Sequence, residues 1–138
     1  MMEKRDLLLL SLCLPCCNGQ SLEVIPSSPV QKKPGETLSL SCKISGYTVT
    51  SHHTHWIRQP AGKSLEWMGF SGLGLGYHAK KFEGRMETTK DTRNSMLTLM
   101  LSGVRAEDSA VYYCARELPG GLHAFDYWGK GTMVTVSS

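Results

Sequence analysis

Three clusters in this 138-residue chain have side chains and spacing that could do chemistry. Cys13, Cys16 and Cys17 form a Cys-x-x-Cys-Cys run, which suits thiolate metal binding or disulfide exchange. His52, His53 and His55 crowd three imidazoles together, and close histidines can ligate a transition metal. Gly72-Leu73-Gly74-Leu75-Gly76 alternates glycine as a phosphate-cradling loop does. Each cluster meets an objection in its own surroundings. The cysteines lie in an apolar run with no histidine beside them. His52 and His53 are adjacent in a predicted loop, so their side chains diverge, and the pattern supplies no convergent carboxylate or cysteine. A dinucleotide loop needs a strand before it, a helix after it and an acid about 20 residues on, whereas Tyr77-His78-Ala79-Lys80 reads as a short edge strand. No Ser/His/Asp arrangement or paired-acid constellation stands out. These residues imply no catalysis, no metal and no cofactor.

The elements that must position any site are strands. Leu38, Leu40, Cys42 and Ile44 alternate with Ser39, Ser41 and Lys43. Leu97, Leu99 and Leu101 alternate with polar residues and methionine, and Val134 and Val136 repeat the pattern near the end. A period of two means a strand with one face on a core. Turn signals separate the runs: Lys33-Pro34-Gly35-Glu36, Gln59-Pro60-Ala61-Gly62-Lys63, Lys90 to Ser95 and Pro119-Gly120-Gly121. Many short strands at close spacing predict a β-sandwich. A single helical turn is expected near Val104–Glu107. Three stretches, 46–55, 70–84 and 117–127, escape the strand pattern and read as loops.

Residues 1–19 read as a secretory signal peptide. Met1 to Asp6 is a short charged start, Leu7 to Leu14 is almost wholly apolar, and Pro15 is followed by small or polar residues. Cleavage is expected after Gly19. The apolar run is too short to span a bilayer, which takes about 20 residues. Such a cut would remove Cys13, Cys16 and Cys17 and leave Cys42 and Cys114. It would also remove two acids (Glu3, Asp6) and two bases (Lys4, Arg5), leaving the net charge at +3. Lys32-Lys33 and Lys80-Lys81 are the basic clusters, too sparse for a nucleic-acid surface.

Cys42 and Cys114 bracket Trp56, and Tyr112 stands two residues before the second cysteine. Trp56-Ile57-Arg58-Gln59-Pro60, Leu65-Glu66-Trp67-Met68-Gly69, the run Ala106 to Arg116 and Trp128-Gly129-Lys130-Gly131-Thr132 accompany them in order. Together, from about Gln20 to Ser138, they resemble an antibody heavy-chain variable domain. Several independent motifs in sequence make the resemblance specific. It implies an all-β fold, an immunoglobulin-like β-sandwich of the variable type, with two antiparallel sheets pinned by one disulfide between Cys42 and Cys114. It implies that Tyr112 is a tyrosine corner and that Arg85 pairs with Asp108, and Arg116 with Asp126.

The resemblance also implies function. The three loop stretches become hypervariable loops, and His52, His53, His55, Phe70, Leu73, Leu75, Tyr77, Glu117, Leu118, Leu122, His123, Phe125 and Tyr127 become antigen-binding residues. Gln59, Leu65, Trp67, Tyr113 and Trp128 become the face toward a light-chain variable domain. Other expected partners are an antigen and a heavy-chain constant region after residue 138, with no nucleic acid. The expected role is antigen recognition without catalysis, secreted or at the cell surface in a B-cell receptor. The alternative is another immunoglobulin-like receptor or adhesion domain that binds a fixed protein partner through its sheet face or edge. Trp128 favours the heavy chain, because light chains and T-cell receptors usually carry phenylalanine there.

Overall fold

Burial alternates along the strands as the sequence pattern predicts. In β3 (Leu38–Ser45), Leu38, Leu40, Cys42 and Ile44 are buried while Ser39 and Ser45 are exposed. In β8 (Met96–Leu101), Leu97, Leu99 and Leu101 turn to the same core. The two strands pair antiparallel with Leu40 opposite Leu99 and Cys42 opposite Leu97. The computed structural model describes residues 20–72, 75–117 and 125–138. The remaining described strands are β1 (Ser21–Ile25), β2 (Val30–Lys32), β4 (Thr54–Gln59), β5 (Glu66–Gly72), β6 (Leu75–His78), β7 (Met86–Asp91), β9 (Ala110–Glu117), β10 (Phe125–Trp128) and β11 (Thr132–Val136). Short 3-10 turns occupy Lys80–Phe82 and Ala106–Asp108, the second close to the expected helical turn.

The strands form two sheets. One has four strands in the order β1-β3-β8-β7. The other has seven, in the order β2-β11-β9-β4-β5-β6, with β10 also paired to β9. Their inner faces meet over a core that includes Leu22, Val24, Trp56, Met68, Tyr112 and Val134. Trp56 is fully buried. Cys42 of the smaller sheet is bonded to Cys114 of the larger, with Cα atoms 6.2 Å apart. Trp56 sits opposite Cys114 on the neighbouring strand, so the bond and the indole fill the same layer.

Two expectations change. Pairing is not wholly antiparallel: β2 runs parallel to β11, with Val30 opposite Val134. The chain leaves the small sheet after β1 and crosses to the edge of the large one at Pro26 and Pro29, residues that cannot donate to a ladder. Thr132 ties the crossing down, its hydroxyl donating to the Pro26 carbonyl at 2.6 Å. The stretches read as loops also contain strands beyond the expected edge strand at Tyr77-His78, which is the end of β6, and the expected strand start at His55, which lies in β4. Residues 70–72 and 75–78 form the β5–β6 hairpin, and Phe125 to Trp128 form β10. Histidines, glycines and mixed polarity there hide the period-two pattern, and cross-strand pairing overrides it.

At the end of the sandwich away from those stretches, Asp108 is buried. Its carboxylate accepts from Arg58 at 2.8 Å, from Arg85 at 2.6 Å and from the Arg105 N–H at 2.8 Å. Arg58 is also buried, donates to Glu66 at 2.7 Å and lies 4.7 Å from the Phe82 ring centroid. Lys81 pairs with the same Glu66. Tyr112 donates its hydroxyl to the Asp108 carbonyl at 2.6 Å, the expected tyrosine corner. The expected Arg85–Asp108 pair is present, and it belongs to a buried network centred on Arg58. Burial opposes ionisation of Asp108, but Arg58, the Arg105 N–H and Arg85 outweigh it and hold the carboxyl below its usual range.

Two predictions follow from this scaffold. Cys42→Ala should lower stability by about 2–5 kcal/mol in urea unfolding, with both thiols inaccessible to mass-spectrometric labelling in the native parent. Asp108→Ala strands the buried Arg58 cation and should cost about 3–5 kcal/mol. Because the Asp108 pKa is depressed in the folded state, its stabilising contribution is present above the unfolded pKa. It is lost as pH falls through the lower folded value, below about 4. Acid unfolding of the parent should steepen there, and Asp108→Ala should lack that component.

Candidate functional site

Strand alternation turns Trp56, Met68 and Cys114 toward the core and sends their neighbours to the outer face of the seven-stranded sheet. That face is apolar where no second sheet covers it. Leu65 is 51% exposed, Trp67 40% and Trp128 45%. Tyr113, half-buried, meets Trp128 edge-on with centroids 5.9 Å apart. Gln59 lies exposed at the far end, its amide donating to the Lys63 carbonyl at 3.1 Å. The structure thus brings all five predicted interface positions to one face.

The Trp128-Gly-x-Gly motif owes its glycines to close approach. A Cβ on Gly129 would sit 2.7 Å from the Leu22 carbonyl oxygen, and one on Gly131 would sit 2.7 Å from the Tyr113 ring. The glycines let the chain leave β10 against β1 and pass under Tyr113, which leaves Trp128 outward.

Above this face lie the predicted loop residues. His52 packs edge-on against Tyr47 with centroids 5.2 Å apart, and its Nδ1 is 2.8 Å from the Ser51 hydroxyl. His53 turns the other way, 4.7 Å from the Phe70 ring, so the two histidines do diverge. Tyr77, on β6, is 65% exposed and lies against Phe70 at 5.7 Å. Burial lowers the proton affinity of His52, with Arg116 adding to the effect. Leu75 starts β6. Leu73, Leu118, Leu122 and His123 lie outside the described residues.

Three of the predicted contact residues occupy a different place. His55 is fully buried, Glu117 is 4% exposed and Phe70 is 9% exposed. They form a buried layer at that end of the sheet. His55 stacks on Phe70 at 5.1 Å and meets Phe125 edge-on at 4.9 Å. Its Nε2 lies 2.6 Å from Glu117 Oε1, and its Nδ1 accepts from the Trp67 indole at 2.8 Å. Glu117 Oε2 is 3.6 Å from His53 Nδ1. The carboxylate that the sequence pattern did not supply to the histidines is thus Glu117, brought in from the end of β9. Even so, no group of three or more His, Cys, Asp or Glu side chains among the described residues is placed to hold a metal ion.

A second pair sits on the core side of the same strands. Arg116 donates to Asp126 through Nε at 3.0 Å and through an η nitrogen at 2.5 Å. Its guanidinium lies 4.7 Å from the Tyr47 ring centroid and 4.5 Å from that of Tyr127. The register of β9 and β10 shifts between Phe125 and Tyr127, which lets Phe125 face His55 while Tyr127 faces Arg116. Arg116 holds the Asp126 carboxyl below its usual range. Burial pushes the Tyr47 hydroxyl up to about 12. Tyr47 and the Trp67–His55 bond were not read from the sequence. The available signal was that Trp67 and His55 take outward positions on adjacent strands.

A β-sandwich pinned by Cys42–Cys114, with a loop-bearing end and an apolar outer sheet face, defines a class of binding domains rather than enzymes. The family model for the immunoglobulin V-set domain matches residues 25–137. Two immunoglobulin heavy-chain V regions of Xenopus laevis are similar to the chain. One is 45% identical over 124 residues, covering 89% of this chain and 90% of its own length. The other is 40% identical over 124 residues, with the same coverage. The chain belongs to the immunoglobulin V-set family, as a variable domain of the heavy-chain type.

Proposed function

We propose that this chain is the heavy-chain half of an antigen-binding site. It pairs with a light-chain variable domain through Gln59, Leu65, Trp67, Tyr113 and Trp128, and it contacts antigen with the loops above them. The observation that carries the reading is the apolar outer sheet face, where two tryptophans and a leucine stand in solvent. Exposed large apolar patches mark interaction surfaces, and tryptophan and tyrosine are the usual interface anchors. The names of the Xenopus relatives support the heavy-chain assignment.

Within that reading, the exposed Tyr77 and half-buried His52, His53, Phe125 and Tyr127 are candidates for direct contact, along with Leu73, Leu75, Leu118, Leu122 and His123. His55, Phe70 and Glu117 act from below by holding the loops in place. Residues 1–19 serve as a secretory signal, residues 20–138 form the variable domain, and the product is secreted or displayed at the cell surface. Among the described residues, no helix is long and apolar enough to cross a membrane.

Two measurements test the proposal. In gel filtration, an added light-chain variable domain should shift the chain to the size of a one-to-one pair, and Trp67→Ser should abolish or sharply weaken the shift. Unchanged pairing by Trp67→Ser would remove the interface assignment. In an alanine scan against the antigen, with folding checked for every variant, substitutions across 117–127 should account for most of the lost affinity. If those alanines are silent while Lys43→Ala or Thr98→Ala on the opposite sheet abolishes binding, the domain binds as an adhesion module.

A further inference from the structure

A hydrogen-bond relay crosses the outer face of the large sheet, from solvent to the end of β9. It starts at Trp67, whose indole is partly exposed. Trp67 Nε1–H donates to His55 Nδ1 at 2.8 Å. An indole N–H can only donate, so Nδ1 is the unprotonated nitrogen of a neutral imidazole. The ring proton then sits on Nε2, which donates to Glu117 Oε1 at 2.6 Å. His55 therefore uses its two nitrogens in opposite senses, in a fully buried position.

Among the described partners, a second proton disturbs one end only. An imidazolium donates from both nitrogens. At Nε2 the bond to the Glu117 carboxylate becomes charge-assisted and tightens. At Nδ1 two N–H groups face each other across 2.8 Å, and the bond from Trp67 is lost. Glu117 therefore favours the charged ring, while the Trp67 N–H favours the neutral one.

The other described groups around His55 leave this logic intact. His53, from the loop before β4, lies 3.6 Å from Glu117 Oε2 and shares that carboxylate. The described β5 side chains against the ring are Trp67 and Phe70, and β10 presents Phe125; none of these is charged. Arg116 of β9 and Asp126 of β10 are bonded to each other, with Arg116 between Tyr47 and Tyr127. Glu66, at the start of β5, is bonded to Arg58 and Lys81.

We propose that His55 is a proton switch between the exposed aromatic face and the base of the third loop. Neutral, it holds Trp67 and Glu117 together. Protonated, it keeps Glu117 and releases the Trp67 indole. Mild acid thus loosens the aromatic face while the end of β9 stays in place. The switch is a property of this chain alone; only its consequence for a light-chain partner rests on the proposed function.

The test is nitrogen NMR of the full chain, without any partner, from about pH 8 to about pH 5. Each of the five histidines is followed by its own resonances. At the alkaline end, His55 should show the tautomer protonated on Nε2, and the Trp67 indole N–H should resist solvent exchange. On acidification, His55 should titrate, and the Trp67 indole should shift and lose protection at the same midpoint. Trp67→Phe removes the opposing N–H and should raise the His55 midpoint by up to about one pH unit. Glu117→Gln removes the anion and should lower it by about 1–3 units. His53→Gln should leave the Trp67 transition in place, and His55→Gln should abolish it. The proposal is overturned by an Nδ1-protonated tautomer in the parent, by no His55 titration in this range, or by a Trp67 indole that does not respond to it. It is equally overturned by midpoint shifts of the same sign in Trp67→Phe and Glu117→Gln, or by a Trp67 transition that survives in His55→Gln. The parent spectra alone decide the matter if a variant fails to fold.

Discussion

Two sheets can share one core only if their inner faces stay in register across a gap of about 10 Å. In this chain the cross-sheet bond between Cys42 and Cys114, packed beside the buried Trp56, meets that requirement. Everything functional depends on it indirectly. Once Trp56, Met68 and Cys114 are committed inward, strand geometry commits His55, Trp67, Tyr113 and Glu117 outward. The outer face is thus a consequence of the core, and a one-residue slip in β4 or β9 would exchange the two.

The outer face is divided along its length. Near the hairpin after β4 it is exposed and apolar, with Leu65 and Trp67 in solvent, and Trp128 is exposed on the β10 side. Near the opposite end it becomes a buried floor of His55, Phe70 and Glu117. Trp67 belongs to both regions, since its ring is partly in solvent while its N–H is bonded inside the floor. Gly129 and Gly131 make the division possible by letting β10 and the start of β11 run close against β1 and Tyr113.

Charge is handled differently at the two ends of the sandwich. At the far end, the Asp108 carboxylate accepts from two arginines and a backbone N–H, which hold it below its usual range. Buried ion pairs need this degree of satisfaction, because each desolvated charge costs several kcal/mol unless fully partnered. At the loop end, Arg116–Asp126 follows the same rule, with tyrosine rings on either side of the guanidinium. The Glu117 floor instead relies on histidine, a group whose protonation changes near neutral pH.

Much of this was legible from residue order. Alternation in β3 and β8, the turn residues and the Cys…Trp…Cys frame carry local information, since each depends on neighbours two or three positions away or on a motif with fixed spacing. They were enough for the sandwich; the loop-bearing end and the composition of the aromatic face came from the resemblance to a heavy-chain variable domain. What they did not contain was pairing between distant strands. The parallel run of β2 along β11, the insertion of Arg58 beside Asp108, and the meeting of His55 with Glu117 across 62 positions all arise when β4, β9 and their neighbours come into register. Burial of Glu117 likewise came from packing, because residue type alone gives glutamate a surface preference. Sequence by itself determined which residues face inward or outward on the regular strands, through the two-residue period of the backbone. Tertiary structure alone decided which outward residues remain in solvent and which charges find partners, because both depend on side chains delivered by strands far apart in the chain.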